Sequence, residues 1–591
     1  MGEACGGHPA PQSPSPAVAP RAAAPQPPPV IPDPYPKLPH LTVPAPAPSA
    51  DSILATLSPA EKVGQVLMPW LAGDYTAFDS DAFTRAARWV DSVGVGGIVV
   101  SVGSPLDVAA KLNELQRRSR LPLLITADLE YGTAMRLVGG TAFPMAMAFG
   151  ATGREMDAYE LGRVTAIEAR AVGIQMTFSP VGDLNNNPLN PIINTRSFGE
   201  NPLDVSRLIS AYIRGASEHG LFTTVKHFPG HGDVGVDSHL QLPVEQGCWN
   251  RLDTLELVPF RAAIHAGATA VMVAHILFPC FEHGDSLPAT LSAPITTGIL
   301  RDSLDFHGLI VTDALTMGAV VSRFGAAESA VKAFLAGSDI LLMPANLDSA
   351  RAAMLAALAQ GRITPARLDS SVRRILELKV QAGLFRRRTV DLDSIPLVVG
   401  QHAFQDLADD IAQRSLTLVA RGPLDPVRSH RGRMAMITYA AETNLSIGGL
   451  LTDSLRAEGD TVTPFRIYPP SGPASYDSAR VIIAHNPVVV FATSVRPIAG
   501  RGNVALPDSL ASLIDLTART KPTVLISFGS PYLQNQLPGF RGACLLAWSD
   551  IPATERAVAN ALTGRAAITG RSPVALSPEE PRGAGITVGH P

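Results

Sequence analysis

Little in this sequence ties it to a metal, a membrane or a nucleic acid. Four cysteines in 591 residues, Cys5, Cys248, Cys280 and Cys544, stand far apart without CxxC spacing. That argues against a structural zinc site or a disulfide framework and predicts isolated thiols. No apolar run is long enough to span a bilayer, which predicts no transmembrane segment. The N-terminus has no apolar core of the kind a signal peptide carries. Charged residues make up 17% of the chain and the net charge is −4, with no basic stripe, so nucleic acid is not the expected partner. The C-terminal part has no Gly-rich phosphate loop and no metal cluster that would give it a chemistry of its own, and neither metal nor organic cofactor is expected. What is present is a chain 46% hydrophobic, with ample apolar material for large cores and a small or polymeric neutral substrate as its natural partner. Oligomeric state is not legible.

A chain of 591 residues exceeds one compact core and implies two or three domains. Residues 1–50 form a Pro/Ala-rich tail, including Pro27-Pro28-Pro29, that cannot pack a core and reads as a disordered spacer or tether. Cys5-Gly6-Gly7 resembles the residues just after a lipoprotein cleavage site whose hydrophobic segment is missing, which suggests a truncated start. Together these predict an extracytoplasmic protein, periplasmic, secreted or lipid-tethered; the alternative is a cytoplasmic protein with a disordered tail.

From residue 51 to 385 apolar strands alternate with helices. Strands are predicted at 63–70, 97–102, 123–127, 176–181, 223–225, 270–274, 309–312 and 339–343. Eight such strands point to an α/β fold, a (β/α)8 TIM-type barrel. Polar residues follow the strand ends (Asp128, Asp183, Lys226-His227, His275, Asp313), where barrel enzymes place their chemistry. Residues 386–432 are predicted to be a linker with a helix. A second alternation over 433–578 predicts a smaller three-layer α/β sandwich domain, and 579–591 a loose tail.

The densest chemistry lies at Lys226-His227-Phe228-Pro229-Gly230-His231-Gly232-Asp233, with Asp237-Ser238-His239 just beyond. An aspartate two residues before a histidine can fix the tautomer of its imidazole. Asp313, in Val311-Thr312-Asp313-Ala314-Leu315-Thr316-Met317-Gly318-Ala319, is a lone carboxylate after an apolar strand, set against the alternative of a helix N-cap. His275 either lines the site or is a satisfied core histidine. Trp70 reads as a core aromatic rather than a stacking face.

These motifs, in this order, resemble family 3 glycoside hydrolases of the bacterial β-N-acetylglucosaminidase (β-hexosaminidase) branch, over roughly residues 52–385. The resemblance implies roles. Asp313 matches a nucleophile that forms a covalent glycosyl-enzyme, His239 an unusual acid/base, and Asp237 its orienting partner. His239 is preferred to His231 because it has the aspartate two residues before it. Asp128, Arg136, Arg196, Lys226 and His227 match sugar-binding positions. Glu130-Tyr131-Gly132-Thr133 replaces the family's usual Glu-Gly-Gly-Arg, so Tyr131 is expected to reshape the pocket rim and one basic contact is lost. The function implied is a retaining exo-β-N-acetylglucosaminidase that removes terminal GlcNAc from peptidoglycan fragments, with water or phosphate as acceptor. Two rivals stand beside it: a β-glucosidase or β-xylosidase of the same family, and a non-catalytic cell-wall sugar-binding protein.

Overall fold

Parallel strands buried on both faces are written as continuous apolar runs, and the first sheet follows that rule. The computed structural model describes residues 48–282, 287–420, 422, 432–498, 500, 502 and 504–589. Cys5 and the expected tail, up to residue 47, lie outside them. The barrel strands are β1 (Leu67–Met68), β2 (Trp70–Ala72), β3 (Gly97–Ser101), β4 (Leu124–Ala127), β5 (Met176–Thr177), β6 (Phe222–Phe228), β7 (Ala270–Val273), β8 (Leu309–Thr312) and β9 (Leu341–Leu342), with β2 to β8 in one sheet and β1 and β9 paired beside it. β2 to β8 are neighbours in chain order, each pair parallel.

β1 and β2 are halves of one strand parted at Pro69, which has no N–H to give a ladder. β9 pairs parallel with β1, and Ile340 bridges Val311 of β8. The Gly96 N–H donates to the Leu67 carbonyl and the Val99 N–H to that of Pro69. The sheet thereby curls into the predicted (β/α)8 barrel, and β3, β4, β6 and β7 are buried along their whole length.

A second sheet has the order β10 (Thr417–Ala420), β15 (Ala543–Leu546), β14 (Thr523–Ser527), β13 (Val488–Thr493), β11 (Arg433–Tyr439), β12 (Thr461–Ile467). All its pairs are parallel except β10 with β15. Each face buries a core of its own. One gathers Met436, Val490, Val524 and Leu545; the other gathers Ile437, Phe491, Leu525 and Trp548. The latter also takes in Met147, Ala148 and Ala151 from the barrel helix Ala146–Thr152, so barrel and sandwich share apolar packing. Backbone bonds reinforce the seam: Arg571 N–H to the Ala151 carbonyl at 3.1 Å and Glu200 N–H to that of Pro573 at 3.3 Å.

The structure corrects four expectations. Residues 63–65 are helix, not strand. Ser58 and Glu61 form a reciprocal cap around a helix with Pro59 at its first position, Pro59–Gln65, a start signal that outweighs the apolar run behind it. The stretch 386–432 holds β10, which is a sheet strand and not linker. Residues 579–589 are not a loose tail: the Ile586 N–H donates to the Leu418 carbonyl at 2.7 Å, and Val588 pairs with Ile568. Cys248 and Cys280 are not isolated thiols but a disulfide, with Cα atoms 5.4 Å apart. It sits beside the bridge of Val244 to Leu277 and closes a separation of 32 residues, too long to leave a local signal. Cys544 is free and buried, as expected.

Candidate active site

The strand ends converge on one mouth. β4 delivers Asp128 one residue past its end, β6 carries Lys226 and His227, and Asp313 follows β8 directly. In a parallel barrel these C-terminal ends share one face.

Five side chains form an alternating chain of charge there. Arg136 Nη2 reaches Asp128 Oδ2 at 3.0 Å, and Lys226 Nζ lies 2.8 Å from both Asp128 Oδ1 and Glu130 Oε1. Glu130 in turn meets Arg196 Nη2 at 2.7 Å and Nε at 2.9 Å. Burial pushes the Asp128 and Glu130 carboxyls up, but the neighbouring cations outweigh it: Lys226 and Arg136 lower Asp128, and Arg196 and Lys226 hold Glu130 well below the usual carboxylate range. Burial likewise lowers the Lys226 ammonium, yet Asp128 and Glu130 leave it raised. Asp128, Glu130 and Lys226 are thus held in their charged forms, and the cluster presents donors beside acceptors, the inventory that a ring of sugar hydroxyls requires.

Beneath it, Asp183 is completely buried and organises the turn after β6. Its Oδ2 receives the His227 Nδ1–H at 2.6 Å, and its Oδ1 receives the His231 N–H at 2.7 Å. His227 Nε2 faces Arg196 Nη2 at 3.4 Å, so that ring is held from both sides. The Asn-rich loop clamps the same turn: Asn190 Nδ2 donates to the carbonyls of His231 and Gly232 at 2.8 and 3.0 Å, and Asn187 Nδ2 to that of Asp233 at 2.7 Å. Gly232 is required by close approach, since a Cβ there would fall 1.5 Å from the Leu184 carbonyl oxygen.

The two histidines of the loop differ. His231 Nε2 lies 3.0 Å from Ser238 Oγ, and burial, with His227 beside it, lowers its pKa to about 4, so it stays neutral. His239 Nδ1 lies 2.9 Å from Asp237 Oδ1. The imidazole is 38% exposed and the carboxylate 1%, which leaves Nε2 on the solvent side. Asp237 Oδ1 also accepts the His239 N–H at 2.8 Å, and its Oδ2 accepts the Gly500 N–H at 2.7 Å from the second domain.

Asp313 Oδ1 accepts the Ala314 N–H at 2.7 Å. The next helix, Gly318–Phe324, begins only after Met317, so Asp313 is not its N-cap. Burial raises the Asp313 carboxyl, but His275, His227, the Ala314 N–H and Lys226 outweigh it and bring it down to about 2. His275 is buried, with Nδ1 2.7 Å from Thr290 Oγ1 and Nε2 3.1 Å from the Ala314 carbonyl. It is a satisfied histidine that packs behind Asp313. A Cβ on Gly318 would sit 3.2 Å from the His239 carbonyl, which puts the Asp313 segment against the dyad loop.

Trp70, expected in the core, is 42% exposed. Glu130, Asp183 and Gly500 were not picked out as site residues from sequence. Glu130 and Asp183 were visible as polar groups in motifs or at strand ends; Gly500, 263 positions from Asp237, leaves no trace. The departure at Thr133 has a use: its hydroxyl donates to Glu168, a buried carboxylate in the helix Glu155–Val172. Glu168 also receives the Thr141 hydroxyl and N–H at 2.6 and 3.0 Å and the Gly400 N–H at 2.8 Å, and so ties down the loop that carries Arg136. At Tyr131 burial raises the phenol, opposed by the charges of Arg496 from the second domain and Arg136 from the barrel. No group of three or more potential metal ligands occurs among the described residues, and no helix among them is long and apolar enough to cross a membrane.

Known proteins share this architecture. The chain is similar to a beta-N-acetylglucosaminidase/beta-glucosidase of Cellulomonas fimi, 31% identical over 88% of this chain and 94% of that one. The solved structure of a glycoside hydrolase family 3 beta-N-acetylglucosaminidase from Paenibacillus superposes with a TM-score of 0.80 at 34% identity, covering 88% of this chain and 99% of its own. A beta-glucoside phosphorylase bound to 2FGlc gives 0.81 at 27% identity, covering 89% and 95%. Residues 59–378 match the glycosyl hydrolase family 3 N terminal domain, and the chain belongs to that family of glycoside hydrolases.

Proposed function

We propose that the chain is a retaining exo-β-N-acetylglucosaminidase that removes terminal β-linked GlcNAc from peptidoglycan fragments. The observation that carries this reading is the Asp237–His239 pair, on a loop packed against the segment that follows Asp313. In the proposed mechanism the ionised Asp313 attacks the anomeric carbon. His239, held through Nδ1, donates its Nε2 proton to the leaving oxygen, and a covalent glycosyl-Asp forms. A histidine can do the work of the second carboxylate used by most retaining enzymes, because imidazole titrates near neutrality. His239 then takes a proton from water as the water oxygen bonds to the anomeric carbon and the bond to Asp313 breaks, which releases the sugar and restores the Asp313 carboxylate. Asp128, Arg136, Glu130, Lys226 and Arg196 grip the ring hydroxyls, with His227 braced beneath them. The Paenibacillus relative is a beta-N-acetylglucosaminidase and the Cellulomonas relative a beta-N-acetylglucosaminidase/beta-glucosidase, which supports the acetamido sugar.

The test is hydrolysis of paired chromogenic β-N-acetylglucosaminide and β-glucoside substrates, with and without phosphate. Preference for the acetamido sugar with water as acceptor is the expected result. Preference for the glucoside would overturn the substrate, and a phosphate-dependent sugar phosphate would overturn the acceptor. Asp313→Ala should abolish turnover and retain sugar binding; surviving turnover would remove Asp313 from its role.

We further propose an extracytoplasmic location. The Pro-rich tail supports it, as does the Cys248–Cys280 pair, since disulfides persist chiefly in oxidising compartments.

A further inference from the structure

We infer that the second domain completes the acid/base dyad: the Gly500 N–H, offered from the loop after β13, fixes the orientation of Asp237 and through it the aim of His239. The inference rests on the dyad reading proposed above.

Asp237 carries three donors. Oδ1 takes the N–H and Nδ1–H of His239 at 2.8 and 2.9 Å, and Oδ2 takes the Gly500 N–H at 2.7 Å. A carboxylate held only at Oδ1 can rotate about its own bond and carry the imidazole with it; a donor on each oxygen removes that freedom. The dyad loop needs such a brace, because no helix or strand is assigned between Phe228 and Trp249. The brace itself is anchored. Its loop is pinned at its roots by the Ser494 N–H on the Tyr439 carbonyl at 2.8 Å and by the Leu506 N–H on Gln536 Oε1 at 2.9 Å. The sandwich is pinned in turn to the barrel near the site, by Asn185 Nδ2 on the Tyr532 hydroxyl at 2.7 Å and the Met145 N–H on Ser549 Oγ at 3.3 Å. Gly500 has a φ of +80°, a left-handed conformation that glycine adopts without cost. Two residues on, a Cβ at Gly502 would lie 3.4 Å from Leu240 Cδ1, so the contact continues past the hydrogen bond.

Gly500 is therefore a positioning residue, and its effect must appear where proton donation matters. Glycosides with a sugar leaving group need the acid; a 2,4-dinitrophenyl glycoside, whose leaving group is already a stable anion, hardly does. The test uses the full chain with the Gly500 amide replaced by an ester through semisynthesis, which takes away the N–H donor and keeps the left-handed φ that proline could not adopt, in the wild-type and the Asp237→Ala backgrounds. The readout is kcat/KM on a β-linked GlcNAc disaccharide and on 2,4-dinitrophenyl β-GlcNAc. Melting and binding of a GlcNAc-type competitive inhibitor serve as fold controls. The expected result is a loss of about tenfold or more on the disaccharide, within the range of acid/base assistance, a change under about twofold on the activated substrate, and no further loss when Asp237 is already alanine. An unchanged disaccharide rate, or equal losses on both substrates or in both backgrounds, would overturn the inference. Should the ester chain fail to fold, Gly500→Ala, whose Cβ strains the left-handed turn that aims the N–H, is read by the same criteria. If Asp237→Ala alone leaves the disaccharide rate intact, the dyad reading falls and the inference with it.

Discussion

Arg196 grips Glu130 at two points, Nε on Oε2 at 2.9 Å and Nη2 on Oε1 at 2.7 Å, with the side chains 18% and 6% exposed. Only a planar guanidinium meets a carboxylate in this way. Arg196→Lys keeps the charge and loses one bond, and it should raise KM for the preferred glycoside by about tenfold or more, the worth of one charged hydrogen bond. Arg196→Ala should also lower stability, toward the bottom of the roughly 3–5 kcal/mol for breaking a buried pair, because Lys226 still contacts Glu130 at 2.8 Å. Steady-state kinetics and urea unfolding check both.

Asp313, brought down to about 2, gives a signed pH dependence. Its folded value lies below that of an unfolded aspartate, so between the two the unfolded chain binds more protons and stability rises with pH. The contribution is complete above about pH 4 and is lost as pH falls through about 2. Unfolding free energies measured from pH 2 to 7 should rise more steeply at the acid end for wild type than for Asp313→Asn. Equal slopes would contradict the depressed carboxyl.

The Cys248–Cys280 bridge, with its separation of 32 residues, should contribute about 3–4 kcal/mol if it acts through chain entropy. The double serine variant should unfold at lower urea by a matching amount, and reductant should destabilise wild type but not the variant. Reductant without effect on wild type would mean that the thiols are unpaired.

Glu168 gathers donors from Thr133, Thr141 and Gly400 without touching the sugar cluster. Glu168→Gln turns one acceptor into a donor that faces other donors. It should cost about 1–3 kcal/mol and raise KM through Arg136 more than it lowers kcat. Melting curves with substrate titrations separate this from a direct catalytic loss.

How much of this was legible depended on sequence distance. The apolar runs that became β3, β4 and β8 were readable because a strand buried on both faces leaves an unbroken signature. Asp237 and His239 stand two residues apart, and their pairing needs no long-range knowledge, whereas Lys226 and His227 meet Asp128 and Asp183, 98 and 44 positions away. The helix Pro59–Gln65 was misread although Ser58, Pro59 and Glu61 announced it, because the run after it drew the strand backward. β10 was missed because four residues beside a helix look like connector until β15 supplies a partner. The disulfide and the Gly500 contact join residues 32 and 263 positions apart; each is a product of topology, and no local pattern encodes it.

The barrel helix Ala146–Thr152 lends Met147, Ala148 and Ala151 to a core that is otherwise built from the second sheet. During synthesis the barrel leaves the ribosome first, and the core that these side chains join is incomplete until the second sheet emerges. The nascent chain therefore passes through a stage with a sticky flank, when a chaperone or a neighbouring nascent chain competes with its own C-terminus.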